Sequence, residues 1–455
     1  MLRNCSVNKV SVSFKSGLVL NFTKKCSYRN LQEFRYSNRL LSSSSSSLSE
    51  KRTNMTHMST SDPHLTAFRS FITPLSSKSH KGQGGKVAVI GGCLEYTGAP
   101  YFASMSSLRA GADLSYVICT PSAATPLKSL SPELMVLPYL PERTSIFNGG
   151  WTSSDVPFIS KEEVRSRSEN IVKWIRRANV VVIGPGLGDD PHVNAVVREV
   201  IKTLYPAGAP EDHCTPALVI DGSALRQIAA EDPRMLIGIR KCVLTPNLPE
   251  LKAIGEAILG KAELARLLDN GGGEGRTNEK PKGGEAKLGE EMQLLGAVIT
   301  KAFRGPVIVA KGSEDHIYSL QSSSASLTPS PSSSLSTPGV CLTKSRSAAG
   351  LKRCGGQGDL LAGTIGTFLC WALRGLPLSE PSVNIARDDV AERNDVDLEH
   401  ADEISRRVAL AAYAASFLIR TTAASVAEES EGERGVVAGD FLGKIPATFK
   451  KHLEL

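Results

Sequence analysis

No stretch of this 455-residue chain comes near the roughly 20 consecutive apolar residues that a membrane-spanning helix needs, so no span is expected. Its nine cysteines are scattered, odd in number and nowhere arranged as CxxC. That argues against a disulfide framework or a structural zinc site and fits a reducing compartment. A basic stripe is missing too. Residues 1–63 hold ten Lys and Arg against three Asp and Glu, which leaves 43 of each sign in the rest of the chain. The net charge of +7 therefore belongs to the leader. A body close to neutral is not expected to bind nucleic acid. What remains, 41% hydrophobic and 22% charged, suits an enzyme-sized globular protein of one large domain or two smaller ones.

The leader "MLRNCSVNKVSVSFKSGLVLNFTKKCSYRNLQEFRYSNRLLSSSSSS" is rich in Ser, Lys and Arg, with Glu33 its only acid. It lacks the apolar core of a secretory signal and reads as a transit peptide for a mitochondrion or plastid. A merely disordered tail is the alternative. Met55 and Met58 lie just beyond and would start a shorter, cytosolic form.

From residue 64 onward, short β-branched runs alternate with longer amphipathic stretches. Strands are expected at 86–91, 115–119, 180–184, 217–221, 242–245, 306–311 and 315–320. Helices are expected near 100–112, 163–177, 191–204, 247–259, 286–303, 359–374 and 403–420. Strands this uniformly apolar are buried on both faces, which predicts an α/β fold with a largely parallel sheet covered by helices. Segments 270–287, 321–339 and 380–402 have linker composition and are read as surface insertions in a single 64–455 domain. No internal repeat is found.

Several polar turns follow strands, where ligands of open parallel sheets sit. "GGCLEYTGAPYFA" (91–103) and "GPGLGDDP" (184–191) each lead into a helix. Either one alone is more often tight packing than a ligand contact. "PNLPEL" sets Asn247 and Glu250 three apart at a helix start. Locally that favours a capping box, with a Mg²⁺-associated amide and carboxylate as the alternative. "GEAILGKA" (255–262) nearly matches a phosphate-binding loop, but Ala262 replaces the required hydroxyl and no strand precedes it, so it is set aside. "RCGGQGDLLAG" (353–363) poses the sharpest question, with glycines crowded around one carboxylate before an apolar helix. Asp359 either caps that helix or works beside free amides that cradle a phosphoryl group. A capping Asp needs no such run of glycines, so the second reading is preferred. There the carboxylate would take a proton from a hydroxyl.

In order, "KGQGGKVAVIGG…YTGAPYFA", "SPELMV", "VVVIGPGLG", "TPNLPE", "AKGSED" and "RCGGQGDLLAG" resemble the ATP-dependent NAD(P)H-hydrate dehydratases of the ribokinase-like superfamily. The resemblance spans about residues 64–450 apart from the insertions. It implies a three-layer αβα sandwich that converts (6S)-NADHX or NADPHX plus ATP to NADH or NADPH, ADP and phosphate, with Mg²⁺ as cofactor. By position, Asp359 matches the catalytic base. Gly355, Gly356, Gln357 and Gly358 match the anion hole for the transferred phosphate. ATP-binding elements correspond to Lys311, Gly312, Ser313, Glu314 and Asp315, and to Ala349, Gly350, Leu351, Lys352, Arg353 and Cys354 running on into the anion hole. The hydrated dinucleotide corresponds to Gly186, to Asn247, Leu248, Pro249, Glu250, Leu251, Lys252 and Ala253, and to Asp359. Asn247 and Glu250 also match the superfamily's metal-associated NxxE, holding Mg²⁺ directly or through water. "SAAGLKRCGG" departs from the family's usual Gly-Ser-rich turn at 349–352, and the Ser-rich insertion before it is unusually long. Some relatives carry a fused epimerase; residues 1–63 are too short for one, so a separate epimerase is expected, as is a homo-oligomer. Two other readings stay open: a vitamin or sugar-alcohol kinase of the same superfamily, and a catalytically silent nucleotide-binding protein.

Overall fold

Along "VVVI" of strand β4 (Val180–Ile183) every side chain is buried, and successive residues enter different cores. Val180 and Val182 join one apolar cluster, Val181 and Ile183 the other. Side chains alternate across a strand with period two, so a run with no polar position requires cover on both faces. The computed structural model describes residues 62–142, 159–206, 214–270, 284–320, 340–345, 350, 352–376, 390–430 and 432–454, all within one unit from Thr56 to Leu455.

The other strands are β1 (Lys86–Ile90), β2 (Leu114–Ile118), β3 (Met135–Leu137), β5 (Ala217–Ile220), β6 (Cys242–Leu244), β7 (Val307–Ala310), β8 (Asp315–Leu320) and β9 (Val340–Ser345). They form one sheet in the order β3-β2-β1-β4-β5-β6-β7-β8-β9. The strands from β3 to β7 pair in parallel, and β8 and β9 add an antiparallel edge. One face carries α1 (Pro63–Arg69), α2 (Gly98–Arg109), α3 (Pro121–Leu130), α10 (Gln357–Ala372), α11 (Val390–Glu429) and α12 (Ala438–His452). The other carries α4 (Lys161–Ile175), α5 (Pro191–Leu204), α6 (Gly222–Glu231), α7 (Leu248–Leu259), α8 (Lys261–Asn270) and α9 (Gly284–Phe303). The expected αβα sandwich is present.

Helix α10 is the element that places the site. Every residue from Leu360 to Ala372 is buried, at roughly 1.5–3 kcal/mol for each large apolar side chain. Gly363 lets α2 approach closely, since a Cβ there would lie 1.9 Å from the Ala103 carbonyl oxygen. Thr367 Oγ1 donates to Ser107 O at 2.8 Å and Trp371 Nε1 to Gly84 O at 2.7 Å. The helix is held along its length, so its first turn has a fixed position.

Some boundaries differ from expectation. Strand β3 is three residues long and half exposed, and β9 starts just past the Ser-rich run; neither carries the long apolar signature of the others. Residues 390–402, expected to be insertion, are helical, because α11 begins at Val390. Helix α9 likewise starts at Gly284, inside the expected 270–287 insertion, and α1 starts at Pro63, inside the expected leader. The 321–339 insertion lies outside the described residues. By length and composition, 399–429 of α11 would be apolar enough to cross a bilayer. Here Val408, Ala411, Ala412, Ala414, Ala415 and Leu418 are fully buried against the sheet and neighbouring helices.

Candidate active site

Three strand ends deliver the polar groups. Asp221 directly follows β5, Thr245 follows β6, and Lys311 follows β7. The Asp221 side chain is 4% exposed, and its Oδ1 accepts from Thr245 Oγ1 and from Lys311 Nζ, both at 2.7 Å. Lys311 is fixed from behind, its amide donating to Pro246 O at 2.9 Å. Gly358 stands over this pair. A Cβ added there would lie 3.4 Å from Lys311 Nζ and 3.6 Å from Asp221 Oδ2.

Helix α10 opens at Gly356, whose φ of +97° is the left-handed conformation that favours glycine. No side chain caps it. No N-cap side chain competes for the first-turn amides, of which that of Asp359 is engaged by its own carboxylate, and the helix dipole adds to their attraction for an anion. Asp359 is the third residue of the helix and not its N-cap, a first-turn position where a carboxylate also suits the helix dipole. Burial pushes its carboxyl up to about 7; the charge on Asp221 adds to the shift and Lys311 opposes it. Burial also raises Glu250, again against Lys311. Burial alone would lower the Lys311 ammonium, but Asp221, Glu250 and Asp359 together hold it above its ordinary value. Three carboxylates share one ammonium.

An open cleft lies beside this cluster, lined by Lys311, Gly350, Arg353, Gln357 and Gly358 and walled by Ser416, Ile419 and Arg420 of α11. Asp315 faces it but is already engaged. It accepts from the Gly312 amide at 3.1 Å and from Ser416 Oγ at 2.7 Å, and lies 3.6 Å from the Arg420 guanidinium. Arg353 donates to Gly312 O at 2.8 Å, and Arg420 donates to Gly312 O at 3.5 Å and also to Ser313 O. The 311–315 turn, with Ser313 and Glu314 at its tip, is thus clamped between α11 and the loop before α10. Three cations gather at the cleft. Lys352 points elsewhere, donating to the Arg434 and Val436 carbonyls at 2.6 Å each, and Cys354 is half-buried with its thiol raised by burial. Gly355 is open, with nothing within 4 Å of where a Cβ would sit. Ala349 and Leu351 lie outside the described residues.

Asn247 and Glu250 form the full capping box of α7. The Glu250 amide donates to Asn247 Oδ1, and the Asn247 amide to Glu250 Oε2, both at 2.9 Å. Of 247–253, these two stand nearest the charged cluster, Asn247 through a bridge to Lys311 and Glu250 through its interactions with Lys311 and Asp221. Leu248 and Ala253 are partly buried against the core, Leu251 is wholly inside it, and Pro249 is exposed. Lys252 is turned to Glu291 of α9 at 2.8 Å. Gly186 belongs to a different corner, the turn after β4. Its φ is +62°, and a Cβ there would meet Tyr96 O at 2.6 Å.

Asp221, Thr245, Ser416 and Arg420 were absent from the residues singled out by sequence. Asp221 left one signal, a lone acid ending the buried apolar run "ALVID". Ser416 and Arg420 left none, since their approach depends on how α11 packs. Among the described residues, no group of three His, Cys, Asp or Glu side chains is arranged to hold a metal ion.

Sheet order, two covered faces and a charged cluster at the parallel strands' carboxyl ends give a ribokinase-like fold. A solved ribokinase-like superfamily protein from Enterococcus faecalis superimposes with a TM-score of 0.53 at 18% identity, over 86% of this chain and 95% of that one. A family model for NAD(P)H-hydrate dehydratase matches residues 87–274. The ATP-dependent (S)-NAD(P)H-hydrate dehydratase of Aspergillus fumigatus is 37% identical over 69% of this chain and 73% of its own. That of Physcomitrium patens is 35% identical over 68% and 76%. The chain belongs to the ATP-dependent (S)-NAD(P)H-hydrate dehydratase family.

Proposed function

We propose that this protein dehydrates (6S)-NADHX and (6S)-NADPHX at the expense of ATP, releasing NADH or NADPH, ADP and phosphate. The observation that carries the reading is the placement of Asp359, a partly buried carboxyl raised to about 7 by desolvation beside an uncapped helix N-terminus and a cation-lined cleft. A base poised near the working pH serves proton abstraction well.

ATP fits the cleft, with Lys311, Arg353 and Arg420 toward its phosphates and the amides of 356–358 facing the γ-phosphoryl group. The substrate hydroxyl, on the ring carbon next to nitrogen, attacks phosphorus while its proton passes to Asp359. ADP departs with the electrons of the broken P–O bond. The nitrogen lone pair then expels phosphate from the ring carbon, and loss of a proton from the adjacent carbon restores the dihydropyridine. Three carboxylates around one ammonium leave room for another cation. Mg²⁺ is commonly held by one or two carboxylates together with phosphates, so Glu250, with Asn247 beside it, fits the ion. When bound, it would neutralise phosphate charge. The (S) designation of the relatives fits a separate epimerase supplying that epimer. The acid-poor leader supports delivery to a mitochondrion or plastid.

Incubating purified protein with ATP and hydrated NADH tests the reaction. Inorganic phosphate and dihydronicotinamide absorbance are expected in equal amounts. Phosphate retained on an organic product, with no absorbance regained, would instead mark a small-molecule kinase, since an ordinary alcohol has no ring nitrogen to expel it.

A further inference from the structure

The strand order marks a second position of the kind at which open parallel sheets take ligands. Moving outward from β1, chain order runs β1-β2-β3 on one side and β4-β5-β6-β7 on the other, so the direction of winding reverses between β1 and β4. In open parallel sheets the crevice outside the carboxyl ends at such a reversal is where ligands bind. Here it is formed by the loop after β1, residues 91–97, and the turn after β4, residues 184–190. The two are tied together, the Gly92 amide donating to Gly186 O at 3.1 Å. On this anchored loop Tyr96 is 58% exposed and Leu94 42% exposed, although the loop itself is held in place. The Tyr96 Cβ stands over Gly186, 3.1 Å from where a Cβ would be at that glycine.

A packed side chain links this corner to the catalytic one. The Phe102 ring lies 3.8 Å from the Cβ position of Gly98 and 3.1 Å from that of Gly356, bridging the end of this loop to the cap of α10. The Lys311–Arg353–Arg420 cleft is bounded by β7 and α11, so the two binding regions rest on different parts of the sheet.

We infer that Tyr96 is a specificity residue for the hydrated dinucleotide, stacking on its adenine in the crevice between the β1 and β4 loops, with Leu94 extending the apolar surface. This rests on the dehydratase reading. The reacting ring has to reach Asp359, and as a hydrated dihydropyridine it is neither aromatic nor flat. Adenine is then the remaining flat aromatic face of the substrate, and an exposed tyrosine on a tethered loop matches it.

Steady-state kinetics with two substrates tests the assignment. For Tyr96→Ala, KM for hydrated NADH should rise roughly tenfold, as for loss of one base–aromatic stack. The KM for ATP and the kcat should hold, and Tyr96→Phe should behave as wild type. With hydrated reduced nicotinamide mononucleotide, which has no adenosine, Tyr96→Ala should change nothing. An unchanged KM for hydrated NADH, or an equal rise with both substrates, overturns the proposal. Should the wild type show no dehydratase turnover at all, the functional reading fails instead. Tyr96 is then judged by calorimetric affinity for ADP-ribose with the ATP site saturated by a non-hydrolysable analogue: weaker binding in Tyr96→Ala supports the stack, and equal binding removes it.

Discussion

Asp359 makes activity and stability respond to pH in opposite directions. As a base it works only when ionised, so kcat/KM should climb through about pH 7, where burial and Asp221 have placed its titration. Folding reads the same shift with the other sign. The native carboxyl holds its proton up to about 7, whereas the ordinary value is 3.8. Between these values the native state binds more protons than the unfolded one, so stability falls as pH rises from about 4 to 7. Asp359→Asn abolishes the titration. Turnover should drop by on the order of 10²–10⁴. Its melting temperature should exceed wild type at pH 8, with an upper bound of roughly 4 kcal/mol on the gain, and the difference should vanish near pH 4. Near wild-type turnover would remove Asp359 from the chemistry, and a pH-independent melting difference would remove the buried-charge account. Asp359 was legible in the sequence because glycines surround it. Its partner Asp221 was not, because a single acid after "ALVID" is indistinguishable from any strand end until β7 brings Lys311 to within 2.7 Å.

Helix α10 shows what an element adds to its residues. Its glycines were readable as a cradle, yet the structure separates their duties. Gly356 is required by backbone conformation and by a neighbour, since a Cβ there would stand 2.6 Å from the Ala438 Cβ. Gly358 lies inside the helix with no positive φ, and the nearest atom a Cβ would meet is Lys311 Nζ at 3.4 Å. Two alanine substitutions should therefore part company. Gly356→Ala should destabilise the fold by roughly 1–3 kcal/mol through left-handed strain and contact. Gly358→Ala should keep the wild-type melting temperature within about 1 kcal/mol of stability, because alanine is the better helix former. It should nonetheless lose most of its turnover, since the methyl enters the space above Lys311 to which the proposed mechanism assigns the transferred phosphate. Equal activity in Gly358→Ala would show that the cradle lies elsewhere. The clamp on the 311–315 turn follows a similar division. "KGSED" marked the place, but only the packing of α11 reveals that Asp315 is engaged by Gly312, Ser416 and Arg420 and so shapes the turn.

For the whole molecule, continuous apolar runs predicted a parallel sheet with helices on both faces, and the two clusters that share each strand's alternate residues are that prediction in three dimensions. Strand order was beyond reach, because nothing local distinguishes β1 beside β4 from any other pairing. The reversal that creates the Tyr96 crevice is a property of the assembled sheet alone. The described core runs from Leu65 to Leu453, with its first contribution from α1. Residues 1–54 of the basic, Ser-rich leader lie outside the described residues and are read from their composition as a targeting segment. Removal of residues 1–54 should accordingly leave melting temperature, kcat and both KM values as they are in the full chain. The same segment fused to a fluorescent reporter should carry it into mitochondria or plastids, with translation from Met55 or Met58 giving a form that stays outside. A diffuse signal from the full-length fusion would defeat the targeting proposal and leave the enzyme untouched. A lower melting temperature in the truncated protein would instead show that the leader packs on the domain.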